Sequence, residues 1–164
     1  MLLIAAAVYS QNNASSAVNV TFHNFPWGTS LQVFMSRMGD PAYVEEVNGL
    51  RSLVYDNIVV SGYPVFLIAY FSQNGLEGGT YYFDTFTYEE RIQCYTNLRR
   101  ELLERYGATH LNDIFSSTFR EMAPYESSWD LPSGYVHLKV DTRRNDPVTL
   151  WFSSPALTRI LFGS

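Results

Sequence analysis

Two aromatic-rich runs joined by an Asn-Gly pair place the strongest constraint on how this chain folds. Residues 65–71 and 76–83 are apolar and rich in Tyr and Phe, and Asn74-Gly75 lies between them. Asn-Gly pairs favour the tight turns with positive φ that connect antiparallel strands. The sequence therefore predicts a β-hairpin here, and an antiparallel sheet around it.

Further short apolar runs extend this predicted sheet on both sides of the hairpin. Val18, Val20 and Phe22 alternate with polar residues, which predicts a first strand at residues 18–23. Other strands are predicted at residues 43–47, 50–55, 58–60, 115–121, 135–140 and 148–152, with the charged segment 141–147 as a hairpin tip. Residues 156–162 are apolar enough to dock on the core as a last strand or a helical turn.

Two segments have helical periodicity, with apolar residues every three or four positions in residues 31–38 and 87–106. Each begins at a capping residue and is followed by a glycine. These signals are Thr29 or Ser30 with Gly39 for the first helix, and the capping box of Thr87 and Glu90 with Gly107 for the second. The sequence thus predicts an α+β fold with two helices on one face of an antiparallel sheet.

The ends of the chain suggest how it is organised. Residues 1–8 are apolar but too few to span a bilayer, which needs about 20 residues. Residues 1–17 are therefore either a leader remnant or a structural N-terminal segment, including a polar linker. Residues 18–164 are predicted to form one domain. The matching Arg-Met-Gly39 and Arg-Tyr-Gly107 triplets suggest a tandem duplication with halves 18–85 and 86–164.

Charge and motif content argue against several functions. With 11 basic and 16 acidic residues the net charge is -5, the opposite of the basic surface that binds nucleic acid. His23, His110 and His137 stand far apart in the sequence, so no metal-ligand spacing is present. Phosphate-binding glycine loops and the G-x-S-x-G nucleophile motif are also missing. We therefore expect no nucleic-acid partner, no metal, no cofactor and no catalytic residue, and we expect the single cysteine, Cys94, to be buried.

The number of aromatic residues is the main indication of function. The 12 Tyr, 11 Phe and 3 Trp exceed what two small helices on a sheet normally bury, and exposed rings are typical of binding hot spots. A non-catalytic module that binds another protein is the first hypothesis. The alternatives are a small-ligand carrier whose rings line a pocket between sheet and helix, and a hydrolase whose Ser, His and Asp meet only on folding. The candidate binding residues are Tyr55, Tyr63, Tyr70 and Tyr81.

Several motifs in residues 25–83 resemble a known family. They are Phe25-Pro-Trp-Gly-Thr-Ser30, Arg37-Met-Gly39-Asp-Pro41, Leu53-Val-Tyr55 and Phe71-Ser-Gln-Asn-Gly75-Leu76. This segment resembles the SmpA/OmlA-like module of bacterial exported proteins and its structural relative, the β-lactamase-inhibitor-protein-like fold. The resemblance implies an exported, non-enzymatic domain of the periplasm or cell envelope, which contacts other proteins through its sheet face or loops.

Overall fold

The computed structural model describes residues 18–47, 49–109, 125–141, 144 and 146–162. These residues form a seven-stranded antiparallel sheet and three α-helices. In chain order the elements are α1 (Leu31–Met38), β1 (Tyr43–Val47), β2 (Leu50–Val60), β3 (Tyr63–Ser72), β4 (Gly75–Phe83), α2 (Tyr88–Tyr106), β5 (Tyr125–Leu131), β6 (Gly134–Val140), β7 (Val148–Ser153) and α3 (Pro155–Phe162). The predicted α+β class is confirmed.

Two antiparallel meanders make up the sheet, whose strand order is β1-β2-β3-β4-β7-β6-β5. Strands β1 to β4 form the first meander and β5 to β7 form the second. The two join where β4 pairs with β7, from Gly78↔Ser153 to Phe83↔Val148. A helix precedes each meander in the chain. The tandem duplication with halves 18–85 and 86–164 stays a prediction.

The predicted helix ends agree with the structure. The side chain of Ser30 accepts a hydrogen bond from the backbone N–H of Val33 and caps α1. At the start of α2, Thr87 and Glu90 form the predicted capping box. Each helix is followed by its predicted glycine, Gly39 or Gly107, whose positive φ of 84° or 80° suits the end of a helix.

The main core lies on one side of the sheet, which we call the inner face. This face carries the buried side chains of Leu67, Ala69, Tyr81, Val136 and Phe152. Helix α1 packs there through Phe34, whose ring centroid lies 5.3 Å from that of Phe71. Helix α2 packs further along, with the Tyr106 and Trp129 ring centroids 6.5 Å apart.

Two adjacent glycines in β4 let other groups approach the sheet from both sides. A Cβ atom on Gly79 would lie 2.1 Å from Cε1 of Phe22, whose ring covers the inner face at that point. A Cβ atom on Gly78 would lie 2.7 Å from Cδ2 of Leu157, which belongs to α3 on the opposite side. Helix α3 therefore packs on what we call the outer face. The sheet dominates the architecture, and the predicted pair of helices on one face omits α3.

The predicted strand at residues 18–23 is wrong. Val20 and Phe22 are buried as the alternation requires. The segment forms only an isolated bridge between Phe22 and Phe25, because His23 and Asn24 turn the chain with φ values of 49° and 64°. Local turn geometry outweighs the strand pattern here.

Other predictions differ from the structure in their detail. Strand β5 was not predicted, since the polar Tyr125–Leu131 sequence lacks an apolar run. The predicted strands 50–55 and 58–60 form one strand, β2, with an irregularity between Tyr55 and Ile58. Residues 156–162 form α3 and not a strand. The predicted strand at residues 115–121 lies outside the described residues.

Candidate functional site

Tyr55 belongs to the core beneath α1. Its side chain is 4% exposed, and its hydroxyl donates a hydrogen bond to the Gly39 carbonyl over 3.2 Å. Burial, followed by the negative charge of Asp40, raises the pKa of the Tyr55 phenol. This tyrosine therefore fixes the end of α1 to the sheet and is not positioned to contact a partner.

Tyr63 lies on the inner face beside the middle of α2. Its ring meets the Phe83 ring edge-on, with centroids 6.2 Å apart. Its hydroxyl accepts a hydrogen bond from Nδ2 of Asn97 over 2.9 Å. These contacts connect β3 to α2, so the ring serves packing between sheet and helix.

Tyr81 is also buried on the inner face, with 4% of its surface exposed. Its hydroxyl lies 3.0 Å from Nδ1 of His23, in the turn before α1. Burial is the main cause that raises the pKa of the Tyr81 phenol, so the hydroxyl keeps its proton at neutral pH. Burial also lowers the pKa of His23, which favours the neutral imidazole. The two neutral groups are hydrogen-bonded to each other and line a cleft described below.

Tyr70 differs from the other three candidates because it lies on the outer face. Its hydroxyl is 3.4 Å from Oγ1 of Thr80, on the neighbouring strand. The sheet thus separates Tyr70 from Tyr55, Tyr63 and Tyr81, so the four tyrosines do not form one site.

Besides Tyr70, the outer face carries a series of aromatic rings that are not among the four candidate tyrosines. Phe66 pairs directly with Tyr82 across β3 and β4. Trp151 of β7 continues the series, and its ring meets that of Tyr135 edge-on at 5.9 Å. Phe66 is 52% exposed, and the other rings of the outer face are half-buried. We call this set the aromatic face; its members are Phe66, Tyr70, Tyr82, Tyr135 and Trp151.

A groove of about 400 Å³ runs between the aromatic face and α3. Its walls are Tyr82 and Trp151 on the sheet side and Leu157 and Leu161 on the helix side. Leu161 is 53% exposed, and its neighbour Ile160 is 77% exposed. Helix α3 therefore adds exposed aliphatic surface beside the rings.

A buried carboxylate secures the start of α3. Glu77, in β4, is 9% exposed and accepts hydrogen bonds from the hydroxyls of Ser72 and Ser154. The backbone N–H of Ser154 also donates to the Glu77 carbonyl over 2.7 Å. The Ser154 hydroxyl accepts in turn from the N–H of Leu157 over 3.0 Å, as an N-cap does. These bonds fix α3 against the sheet.

The far end of the outer face carries charged groups. Glu126 of β5 lies 3.2 Å from Nζ of Lys139 and 3.8 Å from Nε2 of His137, both on β6. Burial outweighs the attraction of Glu126 and lowers the pKa of His137. The imidazole is therefore mostly neutral at pH 7, and the cluster is chiefly a Lys–Glu pair beside the aromatic face.

The inner face has an open cleft of about 290 Å³ beside α2. Leu98, Leu102 and Phe152 supply apolar lining, while Glu101 and Arg105 of α2 supply charges. The His23 and Tyr81 pair described above also lines it.

The surroundings of the described histidines, carboxylates and cysteine bear on catalysis and metal binding. Neither His23 nor His137 is hydrogen-bonded to a serine in this part of the chain. Within the same residues no group of three or more His, Cys, Asp or Glu could hold a metal ion. Burial, followed by the charge of Glu101, raises the pKa of the Cys94 thiol to about 12, which makes it a poor nucleophile at neutral pH. Of the described helices, none has both the length and the apolar character to cross a bilayer.

Comparison with known proteins gives similar structures but no family. No family model and no curated protein matches the sequence. The chain is similar to an extracellular protein containing a SCP domain from Bacillus anthracis, at 12% identity and a TM-score of 0.48, covering 95% of this chain and 51% of that one. It is also similar to a DUF4309 family protein from Bacillus subtilis, at 10% identity and a TM-score of 0.47, covering 79% and 81%.

A cysteine-rich secretory protein from Staphylococcus aureus is similar at 9% identity and a TM-score of 0.45, covering 79% of this chain and 44% of that chain. The chain therefore spans about half the length of the Bacillus anthracis protein and less than half of the Staphylococcus aureus one. Similarity of this degree assigns neither a family nor a function. The resemblance of residues 25–83 to the SmpA/OmlA-like module stays a prediction.

Proposed function

We propose that this protein is a non-catalytic binding module of the bacterial cell envelope or exported space, and that it recognises another protein through its aromatic face. One observation carries the proposal: Phe66, Tyr82, Trp151 and Tyr135 occupy successive strands on the side of the sheet opposite α1 and α2. Clustered, partly exposed aromatic side chains are typical of the centre of protein interfaces.

The shape of this surface suits a protein better than a small molecule. The rings are spread over four strands, β3, β4, β7 and β6, and Phe66 at one end is 52% exposed. Apolar and aromatic side chains from a second protein can cover such an area and exclude water from it. A small ligand would leave most of these rings in water.

The groove beside α3 gives the partner a place to insert an anchor. Its lining is mainly apolar, with Tyr82 and Trp151 facing Leu157 and Leu161. An aliphatic or aromatic side chain of the partner would fill it, as anchor residues fill pockets at other interfaces. The Lys139 and Glu126 pair would then lie at the polar rim, where charged groups set orientation more than affinity.

The proposed location rests on the sequence resemblance to exported bacterial modules. That resemblance also carries the expectation of a sheet face or loop that contacts other proteins. The proposal of a protein partner does not depend on the location, since it follows from the aromatic face alone.

The test is affinity capture from the native cell envelope and exported fractions with the purified protein and matched variants. Phe66→Ser and Trp151→Ala remove rings from the aromatic face. Phe86→Ser is the control, because Phe86 is 78% exposed but lies in the segment before α2. We expect a partner that the wild type and Phe86→Ser retain and that the two aromatic-face variants lose.

Two results would contradict the proposal. One is a captured protein whose recovery is unchanged by Phe66→Ser and Trp151→Ala. The other is that no protein is captured from any fraction. Circular dichroism and thermal unfolding of each variant ensure that lost capture reflects the surface and not the fold.

A further inference from the structure

The cleft beside α2 combines an apolar lining with two opposite charges. Leu98 and Leu102 line it from α2, and Phe152 lines it from the sheet. Glu101 and Arg105 lie at its rim, four residues apart on the same helix. Residues with this spacing lie side by side on a helix surface, about 5–6 Å apart at their Cβ atoms.

Each charged group is oriented by a residue from another part of the chain. The hydroxyl of Ser61, in the turn between β2 and β3, donates to Oε2 of Glu101 over 2.6 Å. Nη2 of Arg105 lies 3.5 Å from Oγ1 of Thr21, and its Cζ lies 5.3 Å from the centroid of the Tyr106 ring. The carboxylate and the guanidinium are thus each positioned by a separate contact, and both side chains are exposed.

The turn that forms one side of the cleft has an unusual backbone. His23 and Asn24 both have positive φ, 49° and 64°, which is uncommon for residues with side chains. This conformation brings the His23 ring beside the Tyr81 hydroxyl, with Nδ1 3.0 Å from the phenol oxygen. Positive φ at a non-glycine residue is more frequent at ligand sites than elsewhere.

We propose that this cleft binds a free α-amino acid with an apolar side chain. Its ammonium group would pair with Glu101 and its carboxylate with Arg105. Its side chain would lie against Leu98, Leu102 and Phe152.

We propose a zwitterionic ligand because the cleft carries one negative and one positive side chain. The cleft offers one carboxylate and one guanidinium, so a ligand with a single charge would pair with only one of them. An α-amino acid carries both charges on groups attached to one carbon atom, which matches two side chains that are neighbours on one helix. In a peptide these two charges lie at opposite ends of the molecule.

The volume and the lining of the cleft support the same class of ligand. A volume of about 290 Å³ lies just below the usual range of ligand pockets, about 300–1,000 Å³, so it suits a metabolite of amino-acid size. The apolar part of the lining, which includes Leu98, Leu102 and Phe152, would receive a hydrocarbon side chain. This site lies on the inner face and is independent of the partner proposed for the aromatic face.

Calorimetric titration of the full chain with L-phenylalanine tests the assignment. Two analogues provide the comparison: 3-phenylpropanoate lacks the ammonium group and 2-phenylethylamine lacks the carboxylate. We expect saturable binding of one L-phenylalanine per chain, weakened at least about tenfold for either analogue, because each analogue can pair with only one of the two charged groups of the cleft.

Matched variants assign the binding to the cleft. Glu101→Gln and Arg105→Gln should each weaken L-phenylalanine binding at least about tenfold. Glu104→Gln and Arg100→Gln are the controls on α2, since neither residue lines the cleft. All four side chains are exposed, so each of these variants should retain the fold.

Three results would overturn the proposal: no saturable binding of L-phenylalanine at millimolar concentrations, equal binding of either analogue, or binding that Glu101→Gln and Arg105→Gln leave unchanged. Trp151→Ala distinguishes this site from the proposed protein interface. It should leave L-phenylalanine binding intact whether or not the aromatic face binds a protein.

Discussion

Leu157 of α3 packs directly over Gly78 of β4, on the outer face of the sheet. A Cβ atom on Gly78 would approach Cδ2 of Leu157 to 2.7 Å and the backbone oxygen of Phe152 to 2.9 Å. Both distances are shorter than ordinary van der Waals contacts. The absence of a side chain at Gly78 therefore lets α3 lie close to the sheet and form one wall of the groove beside the aromatic face.

Gly78→Ala should consequently lower the free energy of unfolding by about 1–3 kcal/mol, the usual cost of overpacking. Urea unfolding followed by circular dichroism measures this change. The double variant Gly78→Ala/Leu157→Ala separates the two contacts, because it removes the clash with Leu157 and leaves the one with the Phe152 backbone. If the effects of Gly78→Ala and of Leu157→Ala, each measured alone, simply add in the double variant, Leu157 is not coupled to Gly78 and the proposed packing of α3 on Gly78 is wrong.

Glu77→Gln tests how α3 is held at its start. The carboxylate accepts hydrogen bonds from Ser72 and Ser154, whereas an amide can accept with only one of its two terminal atoms. One hydroxyl would lose its acceptor, so we expect a loss of about 1–3 kcal/mol in the free energy of unfolding. Thermal or urea unfolding provides the measurement.

Glu89→Gln is the control for Glu77→Gln, because Glu89 is an exposed residue in the first turn of α2 and the loss of its charge there should change stability by less than about 1 kcal/mol. Equal stability of the two variants would show that the buried carboxylate does not hold α3 in place.

The lowered pKa values of the two described histidines predict how the free energy of unfolding depends on pH. Burial is the first cause that lowers the pKa of both His23 and His137 below 6.5 in the folded protein. The folded state then binds fewer protons than the unfolded chain, so their contribution is complete above pH 6.5 and is lost as the pH falls through the lowered pKa values. We expect the free energy of unfolding in urea to decrease between about pH 7.5 and about pH 5.5.

The variant His23→Gln/His137→Gln isolates this contribution, since glutamine does not titrate. Its free energy of unfolding should change less over the same pH interval than that of the wild type. An identical pH dependence in the two proteins would mean that neither histidine is protonated more easily on unfolding.

Much of the fold could be predicted from local sequence signals. The hairpin around Asn74-Gly75, the ends of α1 and the capping box of Thr87 and Glu90 are all encoded by neighbouring residues, and all appear in the structure. Strand β5 was missed because its residues are polar, even though Ser127 and Trp129 are fully buried. Burial of that kind depends on partners distant in the sequence, among them Tyr95, whose hydroxyl is 2.8 Å from that of Ser127.

The candidate surface was less predictable. Alternation along β3 and β4 places Phe66, Tyr70 and Tyr82 on the same side, and this signal was available in the sequence. The positions of Trp151 and Tyr135 beside these rings could not be predicted. They depend on the pairing of β4 with β7, which is not the next strand after β4 in the chain. The cleft could not be predicted either, because His23, Tyr81 and Arg105 come together only when the chain folds.

Site-specific photocrosslinking in living cells tests the central claim most directly. Phe66 and Tyr82 are each replaced by p-benzoylphenylalanine on the aromatic face, and Phe86 is replaced in the same way as the exposed control. Irradiation should join the first two variants to the same discrete protein partner and should produce no such adduct from the Phe86 position. An adduct formed at Phe86 but not at Phe66 or Tyr82, or no protein adduct at any position, would contradict a protein-binding role for the aromatic face.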